Sequence, residues 1–477
     1  MKTIFRRTAL SGAALVLAGC ASVNFDREVQ GTNDTANASS AFTQGKLELS
    51  RTAQQAQARA TLSSELLASP LGMDEAVQLA LANSPAVQTL LAQSWADMAQ
   101  ASQTGRIANP IFNFERIRFA DELELGRLLS FGLLDLLTLP KRLEISRGQM
   151  AQARVQLSAT VVEHVTQVRQ AWVRAVAAQQ SLAYARQVHR SAQASAELAR
   201  RMQQVGNFNK LQRARQQSFY ADSAAQLAAS QHAGTAAREE LIRLLGLSDA
   251  QAGQLKLPER LPELPKEPRQ AASVNASSAE QRLDVQMARQ QLDNAGRSQG
   301  LNLIESLVDV ELGVRRDTVF NNASGSGTAT PRTGYELSIR LPIFDWGTAK
   351  RDAMNAQSLA AANRYESAVR GASSQLRESY SAYRTAYDVA RHYRDEIVPL
   401  RRAIAEENTL RYNGMLIGVF ELLADNRDQI ASVSAALNAY QQFWLADAAL
   451  AASLTGKPTA LAMASPASGS SSAAAGH

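Results

Sequence analysis

Few residues in this chain are placed for covalent chemistry. The five histidines, His164, His189, His232, His392 and His477, are scattered, and no two share the helical spacing of a paired metal ligand. No glycine-rich phosphate loop and no nucleophile elbow occur. The single cysteine, Cys20, excludes an intramolecular disulfide and a cysteine-rich metal site. Its thiol remains a candidate for acylation, because it follows the apolar run Ala9–Leu17 and the small residues Ala18 and Gly19. The sequence points away from an enzyme, a resident metal and a cofactor. What remains is electrostatic chemistry, carried by charged residues that alternate with apolar ones.

That alternation is sharpest in two strand candidates, Leu303–Arg315 and Gly334–Phe344. Ile304, Val308, Val310, Leu312 and Val314 fall on one face of the first, with Glu305, Asp309, Glu311 and Arg315 on the other. In the second, Tyr335, Leu337, Ile339, Leu341 and Ile343 oppose Glu336, Ser338 and Arg340. Glu305, Asp309, Glu311, Glu336 and Arg340 would then line a common polar face, the lumen side if the strands belong to a membrane barrel. A strand pair covering a soluble core would alternate in the same way. Ile111–Phe119 and Leu125–Leu137 are two further candidates, joined through Ala120, Asp121 and Glu122, and Arg116 and Arg118 share a face there with Phe112 and Phe114. Four strands cannot close a barrel, since the smallest membrane barrels need about eight. Open strand edges cannot face lipid, so the membrane reading requires several chains to pool their strands.

The elements that position these strands are long helices. The 57 residues from Gln149 to Val205 contain no glycine or proline and are rich in good helix formers, which implies a rod of about 85 Å. Leu157, Val161, Val165, Val168, Trp172 and Val176 recur every three or four positions as a buried stripe. Pro140 marks the entry to the rod and Gly206-Asn207 its end. A helical pattern over Met73–Arg106, interrupted at Asn83-Ser84-Pro85, precedes the first strands, and a helix from about Leu211 to Leu245 follows the rod.

The order then begins again. Ser130 with Arg142 matches Ser338 with Lys350 at an offset of 208, Gly206 matches Met415 at 209, and Leu245-Gly246 matches Thr455-Gly456 at 210. Two structural repeats are expected, 71–247 and 278–456, joined by a proline-rich linker at 248–277. The second holds strands flanking a loop at Asp317–Thr333, a rod from about Gly347 to Tyr412, and a helix from about Phe420 to Leu454. A basic start with Lys2, Arg6 and Arg7, then the apolar run, reads as a signal peptide over 1–19. Residues 20–70 read as a mostly extended or loosely packed tether, lipidated at its start, and 457–477 as a disordered tail.

The formal charge is +6, from 50 basic and 44 acidic residues, and loss of the signal peptide would leave 47 basic, a balance of +3. No basic block interleaved with aromatics suggests a nucleic-acid surface. Leu17-Ala18-Gly19-Cys20 resembles a bacterial lipobox, with Cys20 the acylated residue, and by that resemblance Ala21 in place of an aspartate favours the outer membrane.

Over roughly Leu71 to Gly456 the chain resembles the TolC-like outer membrane efflux protein family. Leu337-Ser338-Ile339-Arg340-Leu341-Pro342-Ile343-Phe344-Asp345-Trp346-Gly347 is similar to its strand-to-rod junction, and Arg282-Leu283-Asp284 to its Arg-Pro-Asp motif without the proline. Pro399, Arg411-Tyr412 and Phe420-Glu421-Leu422-Leu423 are similar to the approach to its periplasmic turn, and Val205-Gly206 to the first turn. The resemblance implies a mainly α chain of long antiparallel hairpins with a small β part, assembled as a homotrimer. Its four strands per chain would form a twelve-stranded membrane barrel continuous with a helical tunnel. It implies an exit duct for a tripartite efflux pump or type I secretion, working with a periplasmic adaptor and an inner-membrane RND, ABC or MFS transporter. By position, the adaptor-docking tips are Gly206, Asn207, Phe208, Leu211, Met415, Leu416, Ile417 and Gly418, and the tunnel gate involves Tyr412, Glu421, Gln212 and Arg213. Met415, Ile417 and Gln212 depart from the family's glycine, arginine and acid, so its ionic lock needs a substitute, for which Arg213 and Arg215 are candidates. A non-conducting lipoprotein scaffold across the periplasm is the rival reading. It explains Cys20 and the rods but not the alternating strands.

Overall fold

The computed structural model describes residues 25–38, 46–120, 122–270, 281–307, 309–321, 328–341 and 343–457. Cys20, the signal peptide, Pro342 and the tail from 458 lie outside the described residues. The elements in order are α1 (Phe25–Ala38), α2 (Ala53–Leu67), α3 (Met73–Asn83), α4 (Pro85–Thr104), β1 (Ile111–Phe119), β2 (Glu122–Gly132), α5 (Leu133–Gln204), α6 (Lys210–Leu245), α7 (Asp249–Ala252), α8 (Leu283–Leu307), β3 (Val310–Asn321), β4 (Thr328–Ile339), α9 (Thr348–His392), a π turn (Tyr393–Ile397), α10 (Val398–Asn413) and α11 (Val419–Thr455).

Several boundaries differ from the sequence expectation, each for a physical reason. The rod α5 begins at Leu133 and carries Pro140 inside it. A proline removes one backbone donor and crowds one carbonyl. Asp135, in the turn before it, and Arg142, in the turn after, are paired at 2.7 Å and tie the helix together across that gap. The second rod is divided into α9, the π turn and α10, because Pro399 cannot donate to residue 395 and the register widens just before it. Residues 303–307 belong to helix α8 and not to a strand, since the apolar positions 301, 304 and 307 also fit helical spacing and no breaker intervenes. Residues 317–321 and 328–332, expected as loop, pair with each other in β3 and β4, and Thr333 pairs with Arg316. Pro331 is tolerated there because β4 lies at the edge of the sheet. Ser84 adopts the extended conformation that the following proline demands, separating α3 from α4 as the sequence indicates.

Within 20–70 the described residues are 25–38 and 46–70. They include α1 and α2, and α2 starts with a capping box in which Thr52 and Gln55 satisfy each other's backbone donors.

The described residues form two compact units. One comprises the described residues of Met1–Thr32, Leu90–Leu157 and Leu283–Arg370, and the other those of Asn33–Thr89, Ser158–Arg282 and Gly371–His477. The first holds the antiparallel sheet, in the order β1-β2-β3-β4. Its helical segments are joined by Ser146 Oγ donating to the Ala101 carbonyl at 2.9 Å, Arg142 Nε to Thr104 O at 3.0 Å, and Asn294 Nδ2 to Gln152 Oε1 at 2.8 Å.

The second unit buries most of the large apolar side chains. Val161, Val165, Val168, Trp172 and Val176 all face inward, as the stripe requires, and Trp172 Nε1 donates to Leu71 O at 2.8 Å. Gly246 ends α6 with φ +66, and an added Cβ would stand 2.7 Å from Ser84 Cα. A second cluster joins Leu376, Tyr383, Tyr387, Ala390, Phe443, Ala446 and Leu450 around Leu264 of the proline-rich segment. That segment has no ladder of its own. Tyr387 Oη donates to the carbonyls of Pro265 and Lys266 at 3.1 and 3.0 Å, Tyr380 Oη to Arg269 O at 3.2 Å, and Trp444 Nε1 to Pro262 O at 3.1 Å. Tyr383 Oη accepts from the Arg269 amide at 3.1 Å. Tyr380, Tyr383 and Tyr387 stand at helical spacing on α9, which aligns three hydroxyls along one side.

Candidate functional site

The sheet separates its residues by chemistry. Partners directly opposite in an antiparallel ladder project from the same face. One face therefore carries the rows Val310 with Ile339, Leu312 with Leu337 and Phe131, and Val314 with Tyr335, Leu129 and Phe112. This face lies open: Tyr335 is 85% exposed, and Phe112, Leu337 and Ile339 are each more than half exposed. Leu341, Ile343, Phe344 and Trp346, which follow β4, are exposed as well. An uncovered apolar surface of this extent marks an interaction site. Both sheet edges, β1 and β4, also keep unpaired backbone groups.

The opposite face gathers the sheet's carboxylates and their partners, beside the apolar Ile111, Ile117 and Phe119 of β1. Asp309 pairs with Arg340 at 3.2 Å, and Arg315 pairs with Asp317 at 2.9 Å and with Glu115 at 3.4 Å. Glu311 stands opposite Ser338, and Glu336 opposite Gly313. Four of the five expected polar-face residues, Asp309, Glu311, Glu336 and Arg340, are thus brought to one side. Glu305 is not, because it belongs to α8.

At the other candidate site two helical hairpins end in turns with the same hydrogen bonds. In the first, the Gly206 amide donates to Gln203 O at 3.1 Å and that of Asn207 to Met202 O at 2.9 Å. In the second, Met415 donates to Tyr412 O at 3.0 Å and Leu416 to Arg411 O at 2.8 Å. This is the Schellman arrangement, which needs a left-handed residue after the helix. Gly206 supplies it at φ +82, whereas Met415 holds φ +58 with a full side chain. Val205, Leu211, Met415 and Leu416 are exposed apolar residues at these tips, and Met415 is 92% exposed. Asn207 and Gly418 are exposed too, and Ile417 is half-buried. Phe208 departs from the expectation of an exposed tip residue: it is buried. Gln212 is committed locally, accepting from the Asn209 amide while Asn209 Oδ1 accepts from its own amide, both at 2.8 Å, to cap α6. Arg213 donates to Gln203 at 2.9 Å within the same hairpin. Tyr412 and Glu421 are exposed.

Solved structures share this architecture. A membrane protein from Pseudomonas aeruginosa aligns with a TM-score of 0.67 at 19% identity, over 80% of this chain and 93% of its own. The outer membrane protein VceC from Vibrio cholerae gives 0.65 at 14%, over 80% and 96%. The MtrE outer membrane channel from Neisseria gonorrhoeae gives 0.62 at 19%, over 81% and 89%. The chain has the fold of the TolC-like outer membrane channels. Neither a protein-family model nor a curated protein matches the sequence.

Within this TolC-like fold, sequence reasoning missed the residue that joins the two hairpins near their tips. Arg427 of α11 donates through Nη2 to the Arg215 carbonyl at 3.2 Å and to Gln216 Oε1 at 3.3 Å, and its guanidinium lies 4.5 Å from the centroid of the Phe219 ring. Gln216 is buried and Arg427 half-buried, while the Arg215 side of the contact is exposed. Arg215 takes part through its backbone alone in that contact. No sequence signal identifies Arg427, because its partners lie about two hundred residues away and its own helix offers only an ordinary charged face.

A partly buried ionic group sits elsewhere in the second unit. Asp447 pairs with Arg269 at 3.0 Å, and burial pushes its carboxyl above the usual range while Arg269 and Arg169 oppose the shift. Burial likewise lowers Arg169, against the pull of Asp74 and Asp447. Among the described residues no group of three or more His, Cys, Asp or Glu could hold a metal ion, and no helix is long and apolar enough to cross a membrane.

Proposed function

We propose that the protein is an outer membrane exit duct, a passive conduit that serves a tripartite efflux pump or type I secretion system. The single observation that carries this is the sheet: four strands with an open apolar face, a carboxylate-bearing face and two unpaired edges, on the fold of outer membrane channels. Such a sheet is stable in lipid only when its edges are closed by other strands. The proposal therefore includes a homotrimer whose twelve strands form one barrel, with Asp309, Glu311, Glu336 and Arg340 toward the lumen and the apolar rows toward outer membrane lipid. The recurrent element order and the matching tip turns support a two-fold repeat of the chain. Acylation of Cys20 would add a second membrane attachment. The exposed apolar residues Leu211, Met415 and Leu416, with Gly206, Asn207, Ile417 and Gly418, form the surface proposed for a periplasmic adaptor, and through it an RND, ABC or MFS transporter. Tyr412, Glu421 and Arg213 are proposed near the gate. Purified protein added to a planar bilayer tests the reading: discrete ion-conducting steps are expected, and a membrane-bound protein that never conducts would favour the scaffold reading. Crosslinking from cysteines placed at Gly206 and Met415 would then identify the adaptor.

A further inference from the structure

The apolar face of the sheet carries an arginine cluster that the duct reading leaves unused. Arg127 of β2 stands directly opposite Arg316 of β3, Arg116 of β1 is diagonal to Arg127, and Arg118 follows two residues further toward the β1–β2 hairpin end. All four are exposed and project from the same face as Phe112, Leu129 and Val314. Directly opposed like charges repel and weaken a strand pair unless something neutralises them. Nothing in the sheet does so. All six strand carboxylates, Glu115, Glu122, Glu124, Glu311, Asp317 and Glu336, fall on the other face by the ladder register. There Arg315 is paired twice, whereas none of the four cluster arginines makes an ion pair among the described residues. In a closed barrel of identical chains, whose copies all turn the same face outward, a neighbouring copy would likewise bring no strand carboxylate to this face.

The cluster has a definite position along the strands. The helices join the sheet at the end where Val310, Ile339 and Gly132 lie, and the basic rows lie beyond the apolar rows, toward the hairpin ends. A cation is costly at the mid-plane of a membrane but nearly neutral at its interface. Guanidinium groups bind phosphate oxygens in a bidentate fork, and the apolar rows of Leu129 with Val314 and of Phe131 with Leu312, on the helix side of Arg127 and Arg316, offer contact for acyl chains beneath such phosphates.

We propose that Arg116, Arg118, Arg127 and Arg316 form a binding site for the phosphorylated headgroup of an outer-leaflet glycolipid of the lipid A type. The site rests on the outer membrane reading above, since helices on the periplasmic side place the hairpin ends in the outer leaflet. The test uses the full-length protein in mild detergent, mixed with diphosphoryl lipid A, acyl-matched dephosphorylated lipid A or phosphatidylglycerol, with retained lipid counted by native mass spectrometry. Diphosphoryl lipid A is expected to be held at least tenfold more tightly than either alternative. R127Q/R316Q and R116Q/R118Q should each lose at least tenfold, and R127K/R316K should lose less, because charge remains while the fork is gone. Equal retention by R127Q/R316Q and the natural sequence, or equal binding of dephosphorylated lipid, would overturn the site. Equal binding of phosphatidylglycerol would overturn the commitment to a glycolipid. Conductance of the same preparation separates the two layers of the proposal. A conducting protein indifferent to R127Q/R316Q loses the lipid site alone, whereas one that neither conducts nor enters vesicles loses the outer membrane reading and the site with it.

Discussion

If the duct is closed at its helical end by contacts between hairpins, Arg427→Ala should open it. The substitution removes two hydrogen bonds from a charged donor, at 3.2 and 3.3 Å, and a cation–π contact at 4.5 Å. Hydrogen bonds to charged groups contribute about 1.5–3 kcal/mol and a partly exposed cation–π contact about 0.5–1 kcal/mol. Both hydrogen bonds are long, and Arg427 is only half-buried, which favours the low end. A net loss of about 2 kcal/mol is reasonable, and at about 1.4 kcal/mol per factor of ten it multiplies the ratio of open to closed tips roughly thirtyfold. Single-channel recordings in planar bilayers would read this as longer open dwell times. Arg427→Lys, which keeps the charge and loses the planar fork, should fall between the two. An alanine variant with an unchanged melting temperature and unchanged dwell times would refute the reasoning, because the contact would then be present without holding anything shut.

Four further outcomes are expected. Glu421→Ala should change cation block or selectivity in the same recordings, since a ring of carboxylates favours cations, and identical selectivity would remove Glu421 from the pore. Tyr387→Phe deletes the hydroxyl that serves two carbonyls of the proline-rich segment and should cost about 1–2 kcal/mol in urea unfolding. Met415→Gly should relieve the left-handed strain at φ +58 and gain about 0.5–1 kcal/mol, visible as slower amide exchange in the turn at 410–418. Burial holds the His164 imidazole below its ordinary value of 6.5, and its Nε2 has no hydrogen-bond partner among the described residues. A depressed folded value means this contribution is complete above about 6.5 and is lost as pH falls through the folded value. The melting temperature should therefore drop on acidification from pH near 7, and less so in His164→Gln.

Much of this architecture was legible from residue pattern because the strongest signals were long and periodic. The stripe from Leu157 to Val176, the helix break at Pro85, strand Ile111–Phe119 and the turns at Gly206 and Met415 all depend on local rules. The errors fall where two local rules compete. Residues 303–307 fit either period, and the helix won because α8 was already propagating. Pro140 reads as a boundary in isolation, but the Asp135–Arg142 pair carries the helix past it. Asp317–Thr333 is rich in loop formers, yet most of it forms ladder because each half meets a partner strand. Arg116 and Arg118, which sit oddly beside phenylalanines in sequence, make sense only once the register brings Arg127 and Arg316 to the same face. Arg427 was invisible for a similar reason: its meaning lies wholly in what the fold brings beside it.

The tyrosine row on α9 has a consequence for how the chain tolerates wear. Residues 258–270 contain four prolines and no regular secondary structure, the composition at which a peptidase would be expected to nick first. To be cut, a peptide must be drawn out into an extended form in the enzyme's cleft, and here Pro262, Pro265, Lys266 and Arg269 would each have to surrender an aromatic partner before that could happen. The segment is thus sealed by side chains instead of by backbone pairing, and trypsin should spare Lys266 and Arg269 until α9 itself gives way.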